Sequence, residues 1–214
     1  MKTIRFYFDP ISPYAALAFW RLPEVLAGRS YAVDYLPILF GALLKANASK
    51  GPAEIPAKRD WTYRQVLWLA RQQGVDLRLP AAHPFNPLAL LRLAWACAPD
   101  GLTPSRWVVE QLLNHVWRCD GADPNDPERL AQLAQQLAPQ RVANEALAKQ
   151  RLREATDAAL AAGVFGVPTF EVDGKRIWGQ DSLPMLAALL DGDPWFDGPD
   201  WEAVRSVPVG VVRA

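Results

Sequence analysis

The sequence predicts an α/β protein in which both ends of the chain form one small sheet and an all-helical segment is inserted between them. Three observations predict this. Residues 1–40 show a strand, helix and strand pattern, residues 41–162 are almost entirely helical in pattern, and strand patterns return after residue 163. We therefore expect a discontinuous sheet domain of residues 1–40 and 163–190, a helical insertion of residues 41–162, and an irregular tail of residues 191–214.

The N-terminal unit contains two predicted strands and one helix. Residues 4–8 alternate and are rich in β formers, and residues 31–39 alternate again. Between them, Ser12 followed by Pro13 is a helix start, with a hydroxyl at the N-cap and proline at the first helical position. A strand, a helix and a strand in this order predict a right-handed crossover with two parallel strands.

The insertion and the C-terminal unit complete the pattern. After the insertion we predict strands over residues 167–172 and 175–178, joined by the hairpin turn Asp173-Gly174. A closing helix is predicted over residues 181–190, with Asp181 or Ser182 as its N-cap. Within the insertion, periodicity and the intervening proline- and glycine-rich connectors predict five helices, over residues 60–73, 87–98, 105–119, 127–138 and 144–162.

Composition excludes several classes of function. Lys plus Arg and Asp plus Glu are 23 each, so the formal charge is zero, which argues against a nucleic-acid-binding face. No run reaches the roughly 18 apolar residues of a membrane span, and the first residues lack a secretory pattern. The two cysteines, Cys97 and Cys119, exclude a disulfide scaffold and argue against a zinc site. We expect a cytoplasmic protein without a metal.

Three short motifs carry a resemblance to a known family. Residues 6–14 read FYFDPISPY, residues 165–170 read FGVPTF and residues 178–181 read WGQD. The element order, with Val167-Pro168-Thr169 opening the late strand, resembles the thioredoxin-like fold with a helical insertion of the DsbA superfamily. The motifs together resemble the 2-hydroxychromene-2-carboxylate isomerases, which are relatives of kappa-class glutathione transferases. Where thioredoxin-like proteins carry Cys-x-x-Cys, residues 12–15 are Ser-Pro-Tyr-Ala, so dithiol exchange is excluded at this turn.

The resemblance implies glutathione as cofactor and assigns residues to it. It implies that Ser12 is the catalytic residue, whose hydroxyl binds the glutathione sulfur and favours the thiolate; the alternative is a plain N-cap serine. Val167 and Pro168 would share a cis peptide bond and pair with the cysteinyl part of glutathione. Gln180 and Asp181, at the start of the closing helix, would bind the γ-glutamyl end, and Asp181 is equally suited to an N-cap role.

Further contacts are implied from the segments around the insertion. Lys58 would bind an end of glutathione, or would be a solvated loop lysine. The matching asparagine is ambiguous, since Ser49 takes its place in the alignment and Asn47 lies two residues away. The predicted substrate contacts are Asn86, Trp61 and Tyr14. We expect four other residues to have ordinary structural roles: a loop position for His83, and buried positions for His115 and the two cysteines.

The resemblance implies a glutathione-dependent isomerase acting on a small aromatic 2-oxo acid. The reaction would interconvert 2-hydroxychromene-2-carboxylate and trans-o-hydroxybenzylidenepyruvate in aromatic hydrocarbon catabolism. Two alternatives stay open at this point: a kappa-like transferase that conjugates glutathione to electrophiles, and a non-catalytic thioredoxin-fold binding module. The resemblance also suggests a homodimer, and neither nucleic acid nor a membrane is an expected partner.

Overall fold

A four-stranded mixed sheet lies at the centre of the computed structural model, which describes residues 1–143 and 145–211. The strand order is β2-β1-β3-β4. β1 runs parallel to β2 and antiparallel to β3, and β3 and β4 form an antiparallel hairpin. Both ends of the chain therefore contribute to one sheet, as predicted. The strands are β1 (Lys2–Phe8), β2 (Tyr31–Pro37), β3 (Thr169–Val172) and β4 (Lys175–Trp178).

Helices surround the sheet, and six of them lie between β2 and β3 in what we call the helical insertion. None of the helices in the described part of the chain has the length and hydropathy that a bilayer-spanning segment requires. The helices are α1 (Pro13–Val25), α2 (Phe40–Ala46), α3 (Pro56–Gln72), α4 (Leu88–Cys97), α5 (Arg106–Trp117), α6 (Pro127–Leu137), α7 (Ala146–Ala161), α8 (Leu183–Asp191) and α9 (Pro199–Ala203), with 3₁₀ turns at Pro52–Glu54, Gln180–Ser182, Pro194–Asp197 and Val204–Ser206.

The structure differs from the sequence prediction at three places. α2 was not predicted, and α3 starts at Pro56 because proline suits the first helical position. Lys58 therefore lies on the first turn of a helix and not in a loop. The tail predicted to be irregular contains α9 and two 3₁₀ turns. Pro194 and Pro199 start the first 3₁₀ turn and α9, and the second 3₁₀ turn follows α9 directly. The predicted start of α7 at Asn144 and the predicted tail positions 212–214 lie outside the described residues.

One face of the sheet packs on α1 and α8 to form the main core. Phe6 and Phe170, on adjacent strands, stack with ring centroids 4.9 Å apart. α1 is buried nearly all round, and Leu17 and Phe19 are completely inaccessible. This packing fixes α1 with its N-terminus at the edge of the sheet where β1 ends.

The opposite face of the sheet packs against the helical insertion. Tyr7 from β1 shares a cluster with Ile38, Val164 and Val167. The buried hydroxyl of Thr156 on α7 accepts a hydrogen bond from the Leu39 N–H at 3.1 Å. The insertion is thus attached to the sheet at the residues that follow β2.

Candidate active site

The turn between β1 and α1, residues 9–12, brings Ser12 against the segment that precedes β3. Ser12 is the buried N-cap of α1, and its Oγ accepts a hydrogen bond from the Ala15 N–H at 3.2 Å. The same hydroxyl donates to the Val167 carbonyl at 3.3 Å, across 155 positions of sequence. The Val167–Pro168 peptide bond is cis. The cap, the proline and the cis bond that were predicted are confirmed, and Ser12 and Val167 are adjacent.

Two side chains of the insertion hold the backbone of this turn. Trp117 Nε1 donates to the Pro10 carbonyl and His83 Nε2 bonds the Ile11 carbonyl, each at 2.8 Å. Trp117 is fully buried, and the His83 ring packs against it with centroids 5.5 Å apart. His83 lies in the loop between α3 and α4, as expected, and its ring also anchors the residue before Ser12.

The partners of His83 determine where its proton lies. The Ile11 carbonyl can only accept, so Nε2 carries the hydrogen. Nδ1 lies 2.9 Å from the Tyr63 hydroxyl, whose single hydrogen is shared between Nδ1 of the neutral ring and the His83 carbonyl at 3.0 Å. Burial lowers the pKa of His83, which favours this neutral form. His83 therefore links α3, through Tyr63, to the turn that carries Ser12.

Asp9 closes the turn from the sheet side and was missed in the sequence. Its side chain is fully buried and accepts from the N–H groups of Ile11 and Phe40, each at 3.0 Å. Its backbone carbonyl accepts from the Ser12 N–H at 2.9 Å. Desolvation raises the pKa of Asp9 to about 7, although both amide hydrogen bonds oppose the rise. An acidic residue directly after a buried strand and before a proline is the signal that could have identified it.

Two backbone N–H groups beside Ser12 have no hydrogen-bond partner among the described residues. They belong to Tyr14, in the first turn of α1, and to Val167, which precedes β3. Such groups at the start of a helix attract an anion, and the positive end of the helix dipole reinforces that attraction. The unpaired N–H of Val167, and its carbonyl where the Ser12 hydroxyl turns away from it, suit the extended backbone of a peptide ligand.

The segment after β4 lies next to the cis proline. The Gly179 N–H donates to the Pro168 carbonyl at 3.0 Å, which places the following 3₁₀ turn beside the site. Gln180 is buried and its Oε1 accepts from Gln73, the C-cap of α3, whereas Asp181 is exposed. Burial is the main reason that the pKa of Tyr14 is raised, and the negative charge of Asp181 raises it further. The two side chains are therefore close enough to interact electrostatically.

The structure does not bring the residues predicted for the other end of glutathione to Ser12. The Asn47 side chain donates to the Leu43 carbonyl at 2.8 Å, and Ser49 Oγ donates to the Leu44 carbonyl at 3.5 Å. Both hydrogen bonds cap the C-terminus of α2. Lys58 is exposed and makes no ion pair among the described residues. Their assignment to glutathione stays a prediction.

The three predicted substrate contacts occupy different surroundings. The Tyr14 hydroxyl donates to Gln65 on α3 at 2.6 Å. Trp61, also on α3, is 64% exposed. Asn86 is exposed, and its Oδ1 accepts from the Leu88 N–H at 3.1 Å, which caps the start of α4. Of the three, only Tyr14 is near Ser12 in the chain, because it lies in the first turn of α1. The roles of all three stay predictions.

Comparison with known proteins identifies the family to which this chain belongs. Residues 3–191 match the family model described as a DSBA-like thioredoxin domain. The chain belongs to this family. In this DSBA-like chain, residues 12–15 are Ser-Pro-Tyr-Ala and contain no cysteine.

Curated relatives of this DSBA-like chain cover nearly its full length. A 2-hydroxychromene-2-carboxylate isomerase of Sphingobium xenophagum is 28% identical over 88% of this chain and 98% of its own. A glutathione S-transferase kappa 2 of Caenorhabditis elegans is 25% identical over 92% of this chain and 95% of its own. A solved 2-hydroxychromene-2-carboxylate isomerase superposes with a TM-score of 0.76 over 93% of this chain and 98% of that one, at 24% identity. The predicted thioredoxin-like fold with a helical insertion is confirmed.

The two cysteines of this DSBA-like chain lie outside the turn. Cys97 ends α4 and Cys119 follows α5; both are free and half-buried. Burial raises the pKa of Cys97 to about 11, so its reactive thiolate is scarce at neutral pH. His115, expected in the core, is half-buried and bonds the Pro124 carbonyl. Among the described residues, no cluster of three or more His, Cys, Asp or Glu side chains is placed to hold a metal ion.

Proposed function

We propose that this chain is a glutathione-dependent isomerase of a small aromatic 2-oxo acid, interconverting 2-hydroxychromene-2-carboxylate and trans-o-hydroxybenzylidenepyruvate. The observation that carries the proposal is the hydrogen bond from the Ser12 hydroxyl, at the start of α1, to the Val167 carbonyl at 3.3 Å. This carbonyl belongs to the cis Val167–Pro168 peptide bond. The names of the curated relatives, which include both an isomerase of this acid and kappa-class glutathione transferases, support it.

The residues at the turn fit glutathione on chemical grounds. Glutathione is a tripeptide thiol, and Val167 offers it one unpaired N–H and one carbonyl. The free N–H of Tyr14 and the hydroxyl of Ser12 can both donate to an anionic sulfur. When bound, glutathione supplies a thiolate that adds reversibly to the conjugated carbon of the acid and so allows the former double bond to rotate.

The protein's own contribution is to hold the ligand in place and to orient the Ser12 hydroxyl towards the sulfur. Ser12 keeps its hydroxyl at the helix start, because the Ala15 N–H binds its lone pair and leaves the hydrogen free to turn from Val167 towards a ligand. The hydrogen bonds of Trp117 and His83 fix the turn, so the Ser12 donor needs little reorganisation. Gln180 and Asp181 stand beside the cis proline, where a γ-glutamyl ammonium could pair with the Asp181 carboxylate.

The proposal is tested by following ultraviolet absorbance after mixing purified protein with 2-hydroxychromene-2-carboxylate, with and without glutathione. We expect turnover only with glutathione, and no consumption of glutathione over many turnovers. Absence of turnover together with absence of heat in a calorimetric titration with glutathione would refute the proposal and favour a non-catalytic binding module.

A kappa-like transferase is the second candidate, and the full-length similarity to a kappa-class enzyme favours it. The distinction lies in the fate of the sulfur. Incubation with glutathione and 1-chloro-2,4-dinitrobenzene, followed by mass spectrometry, would yield a stable conjugate at an enzymatic rate from a transferase. We expect the isomerase reaction to dominate and the conjugate to form no faster than in a protein-free control.

A substitution at Gly179 tests the assignment of Asp181. Gly179 has a φ of +101°, and a Cβ there would collide with Oδ1 of Asp181. We expect Gly179→Ala to displace the Asp181 carboxylate and to weaken glutathione binding about tenfold, the scale of one lost charge-assisted hydrogen bond. Calorimetry measures the affinity. The matched control is Gly174→Ala, which has a φ of +78° but no atom within 4 Å of the added Cβ. Gly174→Ala places a side chain at a positive φ without the collision, whereas Gly179, with a ψ of 151°, is also in a region that only glycine adopts readily. Gly174→Ala should leave affinity unchanged; equal losses in both variants would contradict the assignment.

A further inference from the structure

A cavity of about 220 Å³ opens between the start of α2, the start of α4 and one face of α7. We call it the cationic cleft. Its apolar wall is formed by Leu39, Leu88 and Leu152, and its charged wall by Arg92, Lys149 and Arg153. Asp157 also lines it, so the cleft carries three positive side chains and one negative side chain. None of the residues assigned above to glutathione lines it.

The positive charge of the wall is only partly compensated, by Asp157. The side chains of Arg92, Lys149 and Arg153 form no ion pair and no hydrogen bond among the residues that the structure describes. The chain as a whole has no net charge, so a local excess of two positive charges is not a consequence of a basic composition. It creates a positive potential confined to this cavity.

Arg92 is half-buried, whereas the other two cations of the charged wall are exposed. Its Nε is buried and has no hydrogen-bond partner among the described residues. Nearby arginines are satisfied: Arg141 binds the Ala98 carbonyl and Asp100, and Arg151 binds the Pro99 carbonyl. The buried Nε is out of a ligand's reach, but the rest of the Arg92 side chain lines the cleft. A carboxylate is the acceptor that best matches a planar guanidinium there.

The cleft lies at the same edge of the sheet as Ser12. Leu39 in its wall is tied to Thr156 on α7, and the adjacent Phe40 N–H donates to Asp9, at the start of the Ser12 turn. β1 and β2 are parallel, so the segments that follow them leave the sheet on the same side. The cleft is therefore connected to the Ser12 turn through Phe40 and Asp9, although no residue of that turn lines it.

We propose that the cationic cleft binds a one-ring aromatic monocarboxylate, with Arg92 pairing the carboxylate and the leucines packing on the ring. The volume is below the roughly 300–1,000 Å³ of drug-sized sites and suits a single ring with a short acidic chain. Asp157 disfavours a second anionic group on the ligand. That this acid is the substrate of the Ser12 site rests on the proposed function, whereas the binding itself does not.

The test is a calorimetric titration of the glutathione-free protein with trans-cinnamate and with its neutral isostere cinnamamide. We expect cinnamate to bind at least about tenfold more tightly than cinnamamide, and Arg92→Met to remove that preference. The double variant Lys149→Gln/Arg153→Gln should weaken cinnamate binding less, and in a salt-dependent way, because both side chains are exposed. The matched control is Arg71→Gln, an exposed arginine on α3 without an ion pair among the described residues, which should change nothing.

The outcomes separate this proposal from the function proposed above. Three results would each refute carboxylate binding in the cationic cleft, even if isomerase turnover is observed. They are equal affinities for the acid and the amide, no binding of either, and an unchanged cinnamate affinity in a folded Arg92→Met protein. Arg92-dependent cinnamate binding without any turnover would support the proposed carboxylate site and refute the proposed isomerase activity. If both hold, Arg92→Met should also raise the KM for 2-hydroxychromene-2-carboxylate while glutathione affinity stays constant.

Discussion

Replacing Ser12 by alanine should lower the isomerase rate about 100-fold while leaving the protein folded. The reason is the loss of the hydroxyl donor at the start of α1, since removal of one such preorganised donor to a developing or bound anion costs about two to three orders of magnitude. The pKa of the bound glutathione thiol should rise by about one to two units, the equivalent of a hydrogen bond to a charged group. Thiolate absorbance near the ultraviolet edge, titrated with pH on the glutathione complex, measures that pKa.

A matched control separates this effect from ordinary helix capping. Ser105 is the N-cap of α5, and its Oγ accepts from the Val108 N–H at 3.3 Å, as Ser12 Oγ accepts from the Ala15 N–H. Both Ser12→Ala and Ser105→Ala should lose about 1 kcal/mol of stability from the missing cap. Only Ser12→Ala should move the thiol pKa and the rate. A Ser12→Ala protein that keeps both would show that Ser12 is a cap and nothing more.

Removing the Asp9 carboxyl should change how stability depends on pH. The folded pKa of about 7 is above the unfolded value of 3.8. Between these values the folded protein retains a proton that the unfolded chain has released, so wild-type stability falls as pH rises through this window. At ~1.4 kcal/mol per pKa unit, the loss reaches about 4 kcal/mol. Asp9→Asn cannot titrate and should lack this fall.

Chemical denaturation at a series of pH values between 4 and 8 measures the effect, read as the difference in free energy of unfolding between wild type and variant. Asp9→Asn and Asp9→Ala should have different constant offsets, because asparagine can still accept one of the amide hydrogen bonds. Their pH-dependent parts should be the same, since each removes the same titration. A difference between wild type and either variant that stays constant with pH would contradict the raised pKa.

The parts of the site that are local in sequence were predictable. Ser12 followed by Pro13 is a helix start that depends only on neighbouring residues, and the structure has both at the expected positions. The turn Asp173-Gly174 likewise connects β3 and β4 because both residues take positive φ. The cis bond before Pro168 was expected only because of the resemblance to a known family.

The residues that the sequence did not identify act at long range. Trp117 bonds a carbonyl 107 positions away, and His83 bonds one 72 positions away. Nothing near either residue in the sequence marks it as a partner of the turn, because the contact exists only after the insertion has packed on the sheet. Asn47 shows the opposite case: its side chain is used locally to cap α2, which periodicity did not predict.

The hydrogen bonds from Trp117 and His83 to the turn have a consequence for how this fold can be divided. The donors belong to the insertion and the acceptors to the sheet domain, so each half completes the other's polar groups. A minimal version that joins β2 directly to β3 would leave the Pro10 and Ile11 carbonyls without their partners at the point where Ser12 must be held. The geometry of the Ser12 turn therefore depends on hydrogen bonds that join both halves of the fold.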